Sequence, residues 1–256
     1  MSTIVGLWYN QVRMNSERIL LLPYKFLLFD LDHTLLDFDR AEDLALTFLL
    51  EEAGVASQEI KVYKDHYIPM NRAMWEDLNH GLITKPELLR TRFSRLFEHF
   101  GKEVDGSFLA GRYQHFLSQQ GQELPQAHAF LADVKDRGHK IYAATNGVSF
   151  IQRGRLQASS ILPFFDDVFI SDEVGAHKPS TDFFDKIANQ VHDFHPSSAL
   201  MIGDSLTAVS YTHLAWFQMV DFYLCWPAIF ECDYFDENLV WTRHCRSAGI
   251  DDSLSL

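Results

Sequence analysis

Four short apolar runs constrain the fold of this chain more than any other feature: KFLLF at 25–29, KIYAAT at 140–145, DDVFIS at 166–171 and ALMIGD at 199–204. Each has strand length and leads into polar or turn residues, the pattern of a buried strand. Helical patterns separate the last three. QAHAFLADVKDRG precedes the second run and stops at Gly138. PSTDFFDKIANQVH follows the third and opens on Pro179, a residue type favoured at the first helical position. Strands alternating with helices predict an α/β chain with a parallel sheet covered on both faces. Such sheets bind ligands beyond the carboxyl ends of their strands. The polar residues that follow the runs are therefore the candidates for chemistry.

About 100 residues lie between the first two runs, far more than a crossover connection needs. Their pattern is mostly helical, as in DLALTFLLEEAG and KPELLRTRFSRLFEHFG. This predicts a helical cap domain over residues 40–121, inserted into an α/β core made of 24–39 and 122–208. The ends differ in character. From residue 209 to 256 there is no lysine, a single glycine, all 3 Cys and 3 of the 5 Trp, without a clean helical or strand period. That stretch reads as an atypical tail. FYLCW at 222–226 could supply an edge strand, and residues 1–23 read as an atypical extension.

Net charge is −13. A chain this acidic does not suit a nucleic-acid polymer, whose phosphates want a basic face. A small phosphorylated substrate held through a metal remains allowed. With 3 Cys and no CxxC, neither a disulfide framework nor a zinc site is expected. No apolar run approaches the roughly 20 residues of a membrane span, and the N-terminal stretch lacks a signal peptide's long apolar segment. The expectation is a soluble, cytoplasmic protein.

Asp30 and Asp32 stand where the first strand ends. Carboxylates at the end of a buried strand are costly unless something charged is bound there. Alternate residues share a face, so both can address one ligand. Hard cations such as magnesium take oxygen ligands. An ionised aspartate can act as a nucleophile and a neighbouring carboxyl as general acid and base. The plain alternative is a pair of turn-forming aspartates. A calcium loop is excluded, because Leu35 and Ala41 occupy the positions of the required glycine and glutamate. Thr145, followed by Asn146 and Gly147, offers a hydroxyl and a turn suited to a phosphate oxygen. Lys178, just before a helix, could neutralise phosphate charge. Asp204, after the fourth run, could complete a cation site. Singly, each of these reads equally well as an ordinary turn or surface residue.

Together, DLDHT, AATNG, HKP and IGDS in this order resemble the haloacid dehalogenase superfamily over roughly residues 24–208. The resemblance implies a Rossmann-like parallel sheet core with an inserted helical cap. It implies Asp30 as the nucleophile forming an aspartyl-phosphate and Asp32 as acid and base. Thr145, Asn146 and Lys178 would bind phosphate. Mg2+ would be held at Asp30, Asp32 (through its main-chain carbonyl) and Asp204. Asp32 favours phosphoryl chemistry over dehalogenation, because a halide leaves without a proton and an alkoxide does not.

Residues 70–97, MNRAMWEDLNHGLITKPELLRTRFSRLF, together with FDLDHTLLDF and ISDEVGAHKP, resemble the YjjG-type pyrimidine 5′-nucleotidases. This implies hydrolysis of nucleoside monophosphates, with Asn71, Trp75, Arg92 and Phe93 as candidate base or ribose contacts and Phe38 lining the cavity between domains. The plain alternative for Trp75 and Phe93 is packing of the cap core. The family pattern then lapses. Val209 stands where a further aspartate is usual, and SYTHLAWFQ replaces a glycine-rich helix. A frameshift or joined reading frame from about residue 209 is the simplest account. Alternative readings are a sugar-phosphate phosphatase or phosphomutase of the same superfamily, and an impaired relative that only binds a ligand or partner.

Overall fold

The structure is a computed structural model and describes residues 24–204 and 218–219. The extension at 1–23, Val209, the edge strand read at 222–226 and the rest of the atypical tail apart from 218–219 lie outside the described residues.

Five strands form one parallel sheet: β1 (Phe26–Phe29), β2 (Lys140–Thr145), β3 (Asp167–Ile170), β4 (Ala199–Ile202) and the two-residue β5 (Gln218–Met219), in the order β3-β2-β1-β4-β5. β1 is central and buried on both sides, which is why its run is apolar without alternation. Leu27 and Phe29 face α5 (Ala127–Asp136) and α6 (Ser149–Ala158), packing with Leu131, Val134 and Leu156. Phe26 and Leu28 face the other way, with Phe183 and Ile187 of α8 (Thr181–Gln190) and with Phe194. Between β3 and α8 lies one short helical turn, α7 (Ser171–Val174), closed by Gly175 at φ 70°. Helix α8 begins at Thr181 rather than at Pro179, because the Ser180 hydroxyl accepts from the Asp182 N–H at 3.2 Å and caps it.

The chain runs from β1 to β2 and β3 on one side, then returns to place β4 on the other. The crevice between β1 and β4 is thus the reversal point where such sheets bind ligands. Asp30 and Asp204 flank it.

Four helices are inserted after β1: α1 (Phe38–Glu52), α2 (Ile60–Asn79), α3 (Lys85–His99) and α4 (Gly106–Ser118). They share a core around Leu46, Leu49, Tyr67, Phe93, Phe97 and Tyr113, which also takes in Ile151 of α6. Caps set three starts: Asp37, Thr84 and Asp105 each accept a backbone N–H of the first turn. The turn before α3 uses Gly81 at φ 71°. The outgoing and returning chains lie side by side as a two-strand hinge. The Asp37 N–H donates to the Gln122 carbonyl and the Leu124 N–H to the Leu35 carbonyl, both at 2.9 Å. Among the described residues no helix is long and apolar enough to cross a membrane.

Candidate active site

Asp30 directly follows β1, and its N–H donates to the Ile202 carbonyl at 2.8 Å, locking the end of β1 to β4. One carboxylate oxygen, Oδ1, accepts from the Leu31 N–H at 2.8 Å. The other, Oδ2, lies 2.9 Å from Lys178 Nζ. Lys178 is 2% exposed. The contact is a close ion pair without hydrogen-bond alignment, and Nζ has no hydrogen-bond partner among the described residues. A buried ammonium with unused donors is costly unless an anion completes it. Asn146 fixes the lysine: its Nδ2 donates to the Lys178 carbonyl and its Oδ1 accepts the Lys178 N–H, both at 2.8 Å. The Asn146 amide is thereby committed at both ends to the backbone of Lys178.

Asp32 points elsewhere. Its Oδ2 accepts from Gln152 Nε2 at 2.6 Å, and its Oδ1 is paired with Arg155 Nη1. Gln152 Nε2 also reaches Thr145 Oγ1 at 3.1 Å, and the same hydroxyl oxygen accepts the Gly147 N–H at 3.1 Å. With its oxygen occupied as an acceptor, the Thr145 hydroxyl is left to donate. Gln152 passes so close over Gly147 that a Cβ there would stand 2.3 Å from Nε2. Thr34, fully buried, accepts the Asp204 N–H at 3.0 Å and ties the loop after β1 to the loop after β4.

Asp204 is held above the ordinary carboxylate range, first by burial and then by the negative charge of Asp30. Two acids placed to repel one another, presenting only oxygen donors, fit a hard divalent cation that relieves the repulsion. Three carboxylate side chains do not converge: among the described residues no group of three His, Cys, Asp or Glu side chains is placed to hold a metal. Asp32 is engaged by Arg155 and Gln152, so its remaining donor is the main-chain carbonyl. The available set is the Asp30 and Asp204 carboxylates with that carbonyl.

A profile of the haloacid dehalogenase-like hydrolases matches residues 24–210. The chain belongs to this family. Among the haloacid dehalogenase-like hydrolases, pyrimidine 5′-nucleotidase PynA of Streptococcus pneumoniae is 58% identical over 185 residues, covering 72% of this chain and 77% of the relative. Pyrimidine 5′-nucleotidase YjjG of Escherichia coli is 29% identical, covering 72% and 79%. The crystal structure of the putative hydrolase YfnB from Bacillus subtilis, bound to magnesium, superposes with a TM-score of 0.68 at 36% identity, covering 72% of this chain and 79% of that one.

Measured against the haloacid dehalogenase-like pattern, the fold brings Asp30, Thr145, Lys178 and Asp204 to one sheet edge. Asn146 stands there as the clamp on Lys178. In the inserted helices, Asn71 and Arg92 are buried and polar, while Phe93 is fully buried and stacked on Tyr67 at 5.3 Å, a packing role. Trp75 is half-buried, and Phe38 lies edge-on to His33 at 5.3 Å. Gln152, Arg155 and Thr34 are participants that the sequence reading passed over. The signal for the first two was a pair of polar residues three apart on the helix after AATNG, one of them an arginine facing the sheet.

Proposed function

We propose that the chain is a magnesium-dependent phosphatase that hydrolyses nucleoside 5′-monophosphates of the pyrimidine type through an aspartyl-phosphate on Asp30. The observation that carries the chemistry is the buried Lys178 ammonium against Asp30, lacking a hydrogen-bond partner among the described residues. The 58% identity to PynA supports the substrate class. The magnesium-bound YfnB structure supports the metal.

An Asp30 oxygen attacks phosphorus while the ester oxygen departs and takes a proton from Asp32, whose carboxyl enters this step protonated and turned from its contacts with Gln152 and Arg155. Asp32, now ionised, removes a proton from water, whose oxygen attacks the phosphorus. Phosphate leaves and the Asp30 carboxylate is restored. Lys178 and the Thr145 hydroxyl donate to phosphate oxygens as negative charge spreads over them, a role that placement and positive charge perform better than covalent chemistry. Asn146 keeps Lys178 in position. Magnesium, held by Asp30, Asp204 and the Asp32 carbonyl, would supply the remaining charge neutralisation when bound. The inserted helices act as the cap that selects the leaving group.

Phosphate release from dUMP and from an aryl phosphate, with magnesium and with a chelator, tests the proposal. Release should need magnesium and vanish in Asp30→Asn. Preference for hexose phosphates would overturn the substrate class. Silence on every ester, rescued by Val209→Asp, would mark this chain as an impaired relative.

A further inference from the structure

Beyond the hinge, the inserted helices are fastened to the sheet domain in two different ways. On one side α4 lies on α6: Ile151 of α6 joins the core of the inserted helices, and Gly154 of α6 packs against Ser118 of α4. That contact is close and has no charge in it. On the other side, the turn between α2 and α3 reaches the sheet domain through Lys85, the first residue of α3. Lys85 Nζ lies 2.6 Å from Asp172 Oδ1 in α7. Among the described residues this is the one ion pair that joins α2 or α3 to the sheet domain. Leu82, at the tip of the turn, is 71% exposed. Both charges are partly exposed, and an exposed ion pair is weak. Such a pair can hold the turn down and can also let it go.

Asp172 has a second partner. Its Oδ2 accepts the N–H of Ser149, the first residue of α6, at 3.2 Å. Val148, just before α6, has no side chain that can cap the helix. Asp172 supplies the missing acceptor from another element, and its negative charge suits a helix N-terminus. Glu173 beside it holds the same turn: it is bonded to the Ser149 hydroxyl and accepts from Arg153 Nε and Nη2 at 3.1 and 2.6 Å. Helix α7 is thus a bracket around the start of α6. That start directly follows Thr145, Asn146 and Gly147, and α6 carries Gln152 and Arg155, the two side chains engaged with Asp32. A single carboxylate therefore touches the inserted helices with one oxygen and the end of the phosphate turn with the other.

We propose that Lys85 and Asp172 are positioning residues that form a releasable latch, coupling the seating of the α2–α3 turn to the placement of the phosphate turn. With the latch made, Asp172 is held between Lys85 and Ser149, and the start of α6 is fixed. With it broken, the α2–α3 turn is free of the sheet domain while α4 stays packed on α6, and the start of α6 loosens with it. The inference rests on the phosphatase reading for the reaction that the latch serves. The motion itself is readable without turnover.

Hydrogen exchange of the full chain, read by mass spectrometry over residues 78–86 and 146–153, tests the latch. Lys85→Met should exchange about threefold faster than wild type in both segments, the scale of one exposed ion pair. Raising NaCl from about 0.05 M to about 0.5 M should speed wild type in the same two segments and leave the variant unchanged, because salt screens the pair. Asp172→Asn keeps an acceptor for Ser149 but no charge for Lys85. It should reproduce the faster exchange at 78–86, and the double variant should go no faster there than either single one. In turnover, Lys85→Met should raise KM for dUMP about threefold and leave kcat/KM for phenyl phosphate, whose leaving group is smaller, unchanged. Exchange unaltered by either substitution would overturn the proposal, as would additive effects or a change confined to 78–86 in Lys85→Met. Faster exchange of both segments in a chain that hydrolyses no ester would uphold the latch and remove the phosphatase reading alone.

Discussion

Arg155 grips the Asp32 carboxylate from a position with no solvent exposure, and its Nε donates at 3.0 Å to the carbonyl of Gln120, on the chain returning from the cap. The same guanidinium lies 5.5 Å from the ring of Phe38, the first residue of α1. One side chain thus touches the proposed acid and base and both crossings of the hinge. Helix α6 comes close enough for this because Gly154 has no side chain: a Cβ there would stand 2.6 Å from the Ser118 carbonyl oxygen.

Arg155 is accordingly a positioning residue for Asp32. Arg155→Met should lower kcat/KM for dUMP about a hundredfold, the usual scale of general acid catalysis. It should lower kcat/KM for 2,4-dinitrophenyl phosphate far less, because that leaving group departs without a proton. Arg155→Lys should recover part of the difference. Leaving-group dependence of kcat/KM is the measurement. A parallel fall for both esters would mean that Arg155 serves only the fold.

Asn146 should matter through Lys178 rather than through direct contact. Asn146→Ala removes two hydrogen bonds to the Lys178 backbone, at about 1 kcal/mol each. The thermal midpoint should fall by several degrees, and inhibition by inorganic phosphate should weaken about tenfold as the ammonium loses its fixed place. Unchanged phosphate inhibition with a lowered midpoint would confine Asn146 to a structural part.

These two residues mark where sequence reading stops. The sheet was legible because a central parallel strand buried on both faces has no alternation to obscure it, and β1 reads as one apolar run. Asp30, Thr145, Lys178 and Asp204 stood out as candidates at strand ends or before a helix, and it was the resemblance of DLDHT, AATNG, HKP and IGDS together to the haloacid dehalogenase superfamily that joined them into one site. Gln152 and Arg155 sit inside a helix whose polar residues look like a solvated face. Only the packing of α6 on the sheet turns them inward. The amide of Asn146 reads as a ligand group in a turn. Its true partner is 32 residues away, a pairing that no local pattern encodes. Arg92 and Phe93 look alike as cap residues, yet Phe93 stacks on Tyr67 while two nitrogens of the Arg92 guanidinium lack hydrogen-bond partners among the described residues.

Gly147 and Gln152 should behave as one unit. Gly147→Ala places a methyl group where Gln152 now runs, 2.3 Å from Nε2 and 2.5 Å from Cγ. Gln152 must then withdraw from Asp32 and Thr145. Gly147→Ala and Gln152→Ala should each reduce kcat/KM for dUMP about tenfold, and the double variant should lose little more than either, giving a coupling of about 1 kcal/mol in a double-mutant cycle. Additive losses would show that Gly147 acts on the turn itself and not through Gln152.

Glu42 gives the cap a pH dependence whose sign is fixed by its surroundings. Burial raises its carboxyl above the ordinary 4.5. The charge of Arg92 and the hydrogen bond from Tyr113 oppose this, Asp39 adds to it, and His33 opposes it. An acid whose folded pKa exceeds its unfolded one binds more protons in the folded state. Its contribution to stability is therefore complete below about pH 4.5 and is lost as the pH rises through the raised value. Glu42→Gln keeps the shape and an acceptor for Asn71 and Tyr113 but cannot ionise. The variant should unfold at higher temperature than wild type at about pH 8, with the gain shrinking toward about pH 4.5. Thermal midpoints across that range are the check. A variant less stable than wild type at the upper end would mean that attraction to Arg92 outweighs burial, and that the cluster keeps its glutamate ionised as the counter-charge to the arginine.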